Sequence, residues 1–470
     1  MEDRYLVTWD GPDDPLNPKN WPFRKRWAIT AIASSFTFVA TISTSMTAPA
    51  LDSIASDLKM HNDYERFLSF SIFVLAYAFG PFVAGPASEM YGRRYVLQLM
   101  NLGFLAFNTG CGFAQTATQL IVCRFFAGFG GCAGTVIGAG ILGDIWRKEE
   151  RGKSVALYTM VTLLSPTLGP VLGGFITQYS SWRWSFWAVS ITGTIFQVVA
   201  SFFFRESFPP IILGRKATEL RHSTGNEAFH TKWERPDRTM LRVTAAAFIR
   251  PFKMLVTQPI VIVLALYISY AFGLIYLVLS TFAGLWTVKY HQNISIGGLH
   301  YLALAIGYVI GTQSCTRLID IVYHRLTSSH GAGVGRPEYR LPILLPGTLV
   351  LGTGMLLYGW SAENHLFWII PDIGMVLVGI GSKYVLQCTQ LYALDVYPTY
   401  AASASAASMF LRSLCGFAFP LFAPYMYNSL GYGWGNTVLA FIAIFIGLPV
   451  TILLWIYGPN LRKRSTYASG

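Results

Sequence analysis

Ten consecutive residues, Gly85-Pro-Ala-Ser-Glu89-Met-Tyr-Gly92-Arg93-Arg94, set one acid, two glycines and two arginines between two apolar runs. An acid and an arginine spaced between helices can form a latch, an ion pair made in one conformation and broken in another. Asp144 closes a later apolar run, so Glu89, Arg93 and Asp144 together could form an acid–base–acid relay. The plainer reading is a basic loop that only sets topology. Arg124 lies inside an apolar run, where an arginine costs roughly 2.5–3.5 kcal/mol on insertion scales. It needs a partner, water, or a path to the surface. It is either a structural group capping carbonyls or one that alters protonation or charge in a central cavity. A third segment, Ser165-Pro166-Thr-Leu-Gly169-Pro170-Val-Leu-Gly173-Gly174, places two prolines and three glycines in one apolar run. Prolines bend such a helix, and lipid tolerates the freed backbone groups only where neighbours satisfy them. Its small residues form a flat packing face, suited to sealing one side of a rocking carrier or simply to close packing.

Substrate-binding candidates are Thr41 and Ser45, which share a helix face with Thr37, the aromatic set Tyr267, Tyr270, Phe272 and Tyr276, and Tyr384, Gln387 and Gln390. Aromatic and amide groups suit a bulky, mostly apolar organic molecule. Lys383 points to an anionic or carboxylated substrate, or to a buried acid as its partner. The other ionisable groups within apolar runs are Asp372, read as a solvated cap, and Arg412. The first run has no carboxylate before Asp52, and no histidine sits deep in any run. None of the six cysteines has metal-ligand spacing, so no metal and no structural disulfide are expected. Gly152-Lys153-Ser154 has Arg147 where a phosphate loop needs glycine, which disfavours ATP-driven work. No catalytic constellation is present, and an enzyme is not expected.

The elements that must position these residues are membrane helices. The 470 residues are 53% hydrophobic and 12% charged, against about 25% charged in soluble domains. Twelve spans are predicted, at about 28–51, 66–87, 95–116, 119–143, 153–178, 184–204, 256–286, 297–317, 342–360, 366–389, 400–423 and 435–458. The expected fold is all-α and polytopic, with an N-terminal six-helix half (28–204) and a C-terminal half (256–458). A short N-terminal segment (1–27), a basic linker (205–255) and a tail (459–470) flank them. Of the 35 lysines and arginines, 28 fall in segments that alternate to one side. The positive-inside rule then puts both termini in the cytoplasm. The net charge of +12 is therefore topological, with anionic lipid headgroups as its partner and no nucleic acid.

The N-terminal segment is polar and proline-rich, which predicts no cleaved signal peptide. The linker's end, about 239–250, is partly amphipathic and expected at the membrane surface. Gly307, Gly311, Arg317, Asp320 and Arg325 loosely echo the first loop, as in a carrier built from parallel repeats. Asn293-Ile-Ser295 is a glycosylation sequon on the side predicted to be external.

These residues together resemble the major facilitator superfamily, in particular the twelve-span drug:proton antiporters of fungi. Gly85 through Leu97 matches the loop motif G-x-L-a-D-r-x-G-r-k-x-x-l, with Glu89 for the usual Asp and Ala87 for Leu. Arg124 to Gly128 matches the span-four motif. Ser165 to Gly174 matches the antiporter motif G-x-x-x-G-P-x-x-G-G, with Ser165 for its first Gly. Asn17–Pro22, Pro337–Pro342 and Asp395–Ser403 are similar to the fungal subgroup. The resemblance implies alternating access and export of an organic drug, toxin or secondary metabolite coupled to inward proton flow, with no cofactor beyond the proton gradient. Gating falls to Gly85, Glu89, Gly92, Arg93, Arg94 and Asp144, and proton coupling to Arg124. The resemblance implies a monomer, in the plasma membrane first and the vacuolar membrane second. The cavity-facing acid that many relatives carry in span one is missing here. The alternative is an uptake carrier or proton-independent facilitator on the same fold.

Overall fold

A computed structural model describes residues 5–147, 150–234, 240–330, 335–398, 400–465 and 467. Arg4, Lys148, Arg235 and Arg238 of the charge pattern lie outside the described residues. Among the described residues, ten helices are long and apolar enough to cross a membrane. One of them, Ala401–Arg464, is two helices broken at Gly431, whose φ of 71° only glycine adopts readily. Another helix, Arg93–Gly112, falls outside the ten because Arg93, Arg94, Gln98, Asn101 and Asn108 lower its hydropathy. Two of its amides are nonetheless matched in the interior. Asn101 donates to Gln197 at 2.8 Å, and Asn108 donates to Ser190 and the Phe186 carbonyl at 2.9 Å.

The twelve helices are α1 Phe23–Ser45, α2 Asp63–Tyr91, α3 Arg93–Gly112, α4 Ala117–Ile145, α5 Arg151–Tyr179, α6 Arg183–Phe203, α7 Pro259–Gly284, α8 Tyr301–His330, α9 Leu344–Glu363, α10 Ile369–Val396, α11 (401–430) and α12 (432–464). The span predictions hold in number and order, with one correction. The first span continues to Asp57, but its helix α1 breaks at Ser45, because Pro49 has no N–H for the Ser45 carbonyl and a tight turn at Ala48–Ala50 follows. Span eight was expected to end near 317, but α8 continues to His330. Arg317, Asp320 and Arg325 are therefore helical and form no loop.

In lipid, helices associate through close packing and internal hydrogen bonds rather than water exclusion. The glycines after Arg124 serve this. A side chain at Gly128 would strike the Phe73 carbonyl of α2, and one at Gly130 would strike Met100 of α3. Helices α1–α6 pack on one another, as do α7–α12, and the sets meet along α2 with α11 and α5 with α8. The linker holds two helices, Pro209–Thr224 and Met240–Thr257. The second carries the segment expected at the membrane surface. Its Phe248 and Phe252 pack on Phe82 of α2, and Phe252 also meets Phe410 of α11 edge-on, with ring centroids 4.6–5.8 Å apart. It is seated on the seam between the sets. The N-terminal segment is tied to the linker by Asp10 with Lys216 at 2.6 Å and by the Val7 N–H on the His230 carbonyl at 2.8 Å.

Candidate functional site

A cavity of about 1440 Å³ lies between the two helix sets. Its mouth is on the face that carries both chain ends, bordered by Gly85, Glu89 and Arg93, the linker residues Trp233 and Arg250, and Ala402 and Ser403. Thr44, Tyr276 and Leu279 line its deep end. Beyond them the opposite face is shut by α5. A side chain at Gly174 would lie 2.9 Å from the Ile294 carbonyl, and one at Gly298 would lie 2.8 Å from the Pro170 carbonyl.

That seal is made by the proline–glycine segment. Gly169 and Gly173 lie against Ser45 and Met46 at the end of α1, whereas Pro170 and Gly174 lie against the short helix Ile294–Leu299 that precedes α8. Pro166 lines the cavity. Helix α5 stays helical across both prolines, and nearby hydroxyls bond carbonyls of the same turns, Ser165 to Val161 at 2.6 Å and Thr167 to Leu164 at 2.8 Å.

Of the substrate-binding candidates, the structure brings Thr41 and Lys383 to the cavity, together with Phe272, Tyr276 and Gln390. Five candidates lie elsewhere. Tyr384 donates to the Ser314 hydroxyl of α8 at 3.0 Å. Ser45 is buried beneath Gly169. Tyr267 bonds Thr348 at 2.5 Å inside the second helix set, and Tyr270 donates to the Leu439 carbonyl at 2.6 Å. Gln387 faces α8 and donates to Thr316 at 2.8 Å. Helix α7 is apolar on every side, so the pattern carried no signal for which face would look inward. The inward face is Leu264, Ile268, Phe272, Ile275, Tyr276 and Leu279.

The loop motif forms a corner. Arg93 reaches Asp144 at 3.3 Å and donates to Ser88 at 2.6 Å. Ser88 thus takes the position expected for an acid, and Glu89 is exposed at the cavity mouth. These contacts fasten α2, α3 and α4 to one another and do not cross the cavity. Gly92, at φ 98°, makes the turn. A side chain there would strike the carboxylate of Glu206, a residue the sequence reading missed.

Glu206 is buried and accepts the backbone N–H groups of Arg93 (3.0 Å), Arg94 (3.1 Å), Ser207 (3.0 Å) and Phe208 (3.0 Å). It satisfies the first free donors of α3 with a charge of favourable sign. The only sequence signal was an acid shortly before Pro209-Pro210. Arg94 donates to the Ser201 carbonyl at 3.1 Å. The second helix set holds a counterpart. Arg340, before α9, reaches Asp395 at the end of α10 at 2.5 Å, as Arg93, opening α3, reaches Asp144 at the end of α4. The internal echo therefore lies at Arg340 and Asp395, in place of Arg317–Arg325.

Arg124 is fully buried. It donates to the carbonyls of Ser43 (2.9 Å), Thr44 (3.4 Å), Ser69 (3.3 Å) and Phe70 (3.4 Å) and to the Thr47 hydroxyl (3.4 Å). Its guanidinium lies 4.6 Å from the Phe73 ring. It caps the broken end of α1 and holds it to α2 and α4. Asp372, read as a solvated cap, is instead largely buried and bonded to His300 at 2.7 Å, on the face away from the mouth. Asn293 is exposed on that same face.

The family model described as Major Facilitator Superfamily matches residues 33–420. The chain belongs to this superfamily and is a membrane transporter rather than an enzyme. It is 49% identical over 470 residues to the "Efflux pump vrtL" of Penicillium aethiopicum, covering 100% of this chain and 92% of the relative. It is 41% identical over 421 residues to the "Probable efflux pump mfs2" of Aspergillus flavus, covering 89% and 99%. Among solved structures, the partially occluded inward open xylose transporter XylE of E. coli shares the fold, with a TM-score of 0.67, 15% identity and 92% and 98% coverage.

Proposed function

We propose that this transporter exports an organic compound, such as a toxin or secondary metabolite, by alternating access and at the expense of the proton gradient. One observation carries the reading. The central cavity is open on the basic face that holds both chain ends and shut on the other by the proline–glycine segment of α5. By the positive-inside rule the open face is cytoplasmic, so the cavity is poised to load from inside. Relatives named efflux pumps support the direction. The transport cycle rocks α1–α6 against α7–α12. The Arg93–Asp144 and Arg340–Asp395 pairs keep each set's cytoplasmic end rigid, and the α5 seam opens outward. The protein works as a monomer in the plasma membrane, with the vacuolar membrane as the other location, and Asn293 on the outer face accepts glycan.

A proton-independent facilitator is the second reading. One observation favours it: among the described residues lining the cavity, Glu89 at the mouth is the only carboxylate. The test is efflux of labelled anionic, neutral and cationic compounds from cells expressing the chain. Nigericin is used to remove the pH gradient, and valinomycin with potassium to remove the potential. Efflux that collapses with nigericin supports proton coupling. Efflux indifferent to it moves the protein to the facilitator reading.

A further inference from the structure

We infer that the cavity recognises an organic anion with an aromatic body, and that Lys383 and Arg412 are its charge-reading pair. The inference deepens the export reading and rests on it for direction only. Lys383 projects from α10 and is buried, with its ammonium 4.5 Å from the Tyr308 ring centroid. Arg412 projects from α11, with its guanidinium 5.2 Å from the Phe272 ring and its Nε buried and without a hydrogen-bond partner. Both line the same cavity. Among the described residues neither has an acidic partner.

Elsewhere among the described residues, the buried Arg124 is satisfied by carbonyls and the half-buried Arg93 by Asp144. Burying two charges of one sign without a counter-charge is costly. A fold that retains such a pair beside a cavity has left the counter-charge to its ligand. The mouth has the same bias, since Arg93, Lys232 and Arg250 outnumber Glu89 there, and a cleft with an excess of one sign of charge draws in ions of the other. The chemistry of the rest follows from the walls. Phe272, Tyr276 and Tyr308 flank the two cations, so a ring system stacks while its carboxylate, acidic phenol or enolate meets Lys383 and the guanidinium fork of Arg412. The volume exceeds the usual range of about 300–1,000 Å³ for small-molecule sites, which admits a multi-ring compound.

The experiment uses the full chain in nanodiscs of zwitterionic lipid and three probes with one ring system: 9-anthracenecarboxylate, 9-anthracenemethanol and 9-(aminomethyl)anthracene. Equilibrium binding is measured for the unmodified protein and for Lys383→Met, Arg412→Met and Arg412→Lys. The carboxylate is expected to bind at least tenfold more tightly than the alcohol or the ammonium. Each Met variant should lose tenfold or more for the carboxylate and little for the alcohol, and Arg412→Lys should keep the preference. Equal binding of the three probes, or no binding of the carboxylate, overturns the inference without any variant. Unchanged carboxylate affinity in both Met variants also overturns it. Because binding is read without transport, anion binding with no efflux removes the export reading alone. Efflux of neutral compounds with no anion preference removes this inference alone.

Discussion

Arg124 offers a direct contest between two roles, and Arg124→Ala decides it. The geometry makes this arginine the cap of a broken helix end. The Ser43 and Thr44 carbonyls it binds belong to the last turn of α1, where no following helical N–H donates to them. Hydrogen bonds from a charged donor contribute about 1.5–3 kcal/mol each, and a buried acceptor left alone costs about 1–3 kcal/mol. Only the Ser43 contact, at 2.9 Å, is short; the other four run from 3.3 to 3.4 Å. Counting one full bond and a fraction of the rest gives about 3–5 kcal/mol. At roughly 2.1 cal/mol/K of unfolding entropy per residue, the 470 residues carry about 1 kcal/mol/K. The unfolding midpoint should therefore fall by about 3–5 °C.

The chain provides its own reporters, because Cys111, Cys132, Cys315 and Cys388 are buried free thiols. A thiol-reactive fluorophore added during heating reads the transition. Arg124→Lys keeps one short donor and should fall between the parent and Arg124→Ala. Efflux should decline in the same order. The refuting result is a variant that melts with the parent protein yet transports without regard to the proton gradient. That outcome assigns Arg124 to coupling and makes its carbonyl contacts incidental.

Two further outcomes are expected. Glu206→Gln turns an amide toward one of the N–H groups now held by the carboxylate, removing a charge-assisted bond of about 1.5–3 kcal/mol. The melting point should drop by a few degrees and proteolysis in the 88–94 turn should accelerate, whereas an unchanged cleavage rate would mean that Glu206 does not hold the corner. Gly174→Ala puts a methyl group 2.9 Å from the Ile294 carbonyl across the α5 seam. At an overpacking cost of about 1–3 kcal/mol, the closed outer face should be disfavoured by roughly fivefold to a hundredfold, since about 1.4 kcal/mol is tenfold. A cysteine placed at Thr41 should then react with an impermeant reagent from outside, and silence in that assay would show that the seam yields without opening.

The amino-acid sequence alone carried the class, the number and order of the spans, and the three motif segments. Those signals are local: apolar length, basic residues at helix ends, and prolines and glycines in short windows. Deciding which side chains face the cavity was not local. Tyr267 and Tyr276 sit on one uniformly apolar helix, and only packing against α9 and α12 turned the first inward to Thr348 and left the second on the cavity wall. Glu206 and Gly92 are 114 positions apart, and only the fold brings the carboxylate under the turn. Lys383 and Arg412 lie on separate helices, and tertiary structure alone made them one site by giving them a shared cavity whose only carboxylate, among the described residues, is Glu89 at the mouth. Hydrophobic pattern fixes what each segment is, because lipid sorts residues one by one. A transport site is a set of distances between segments, and packing sets those distances.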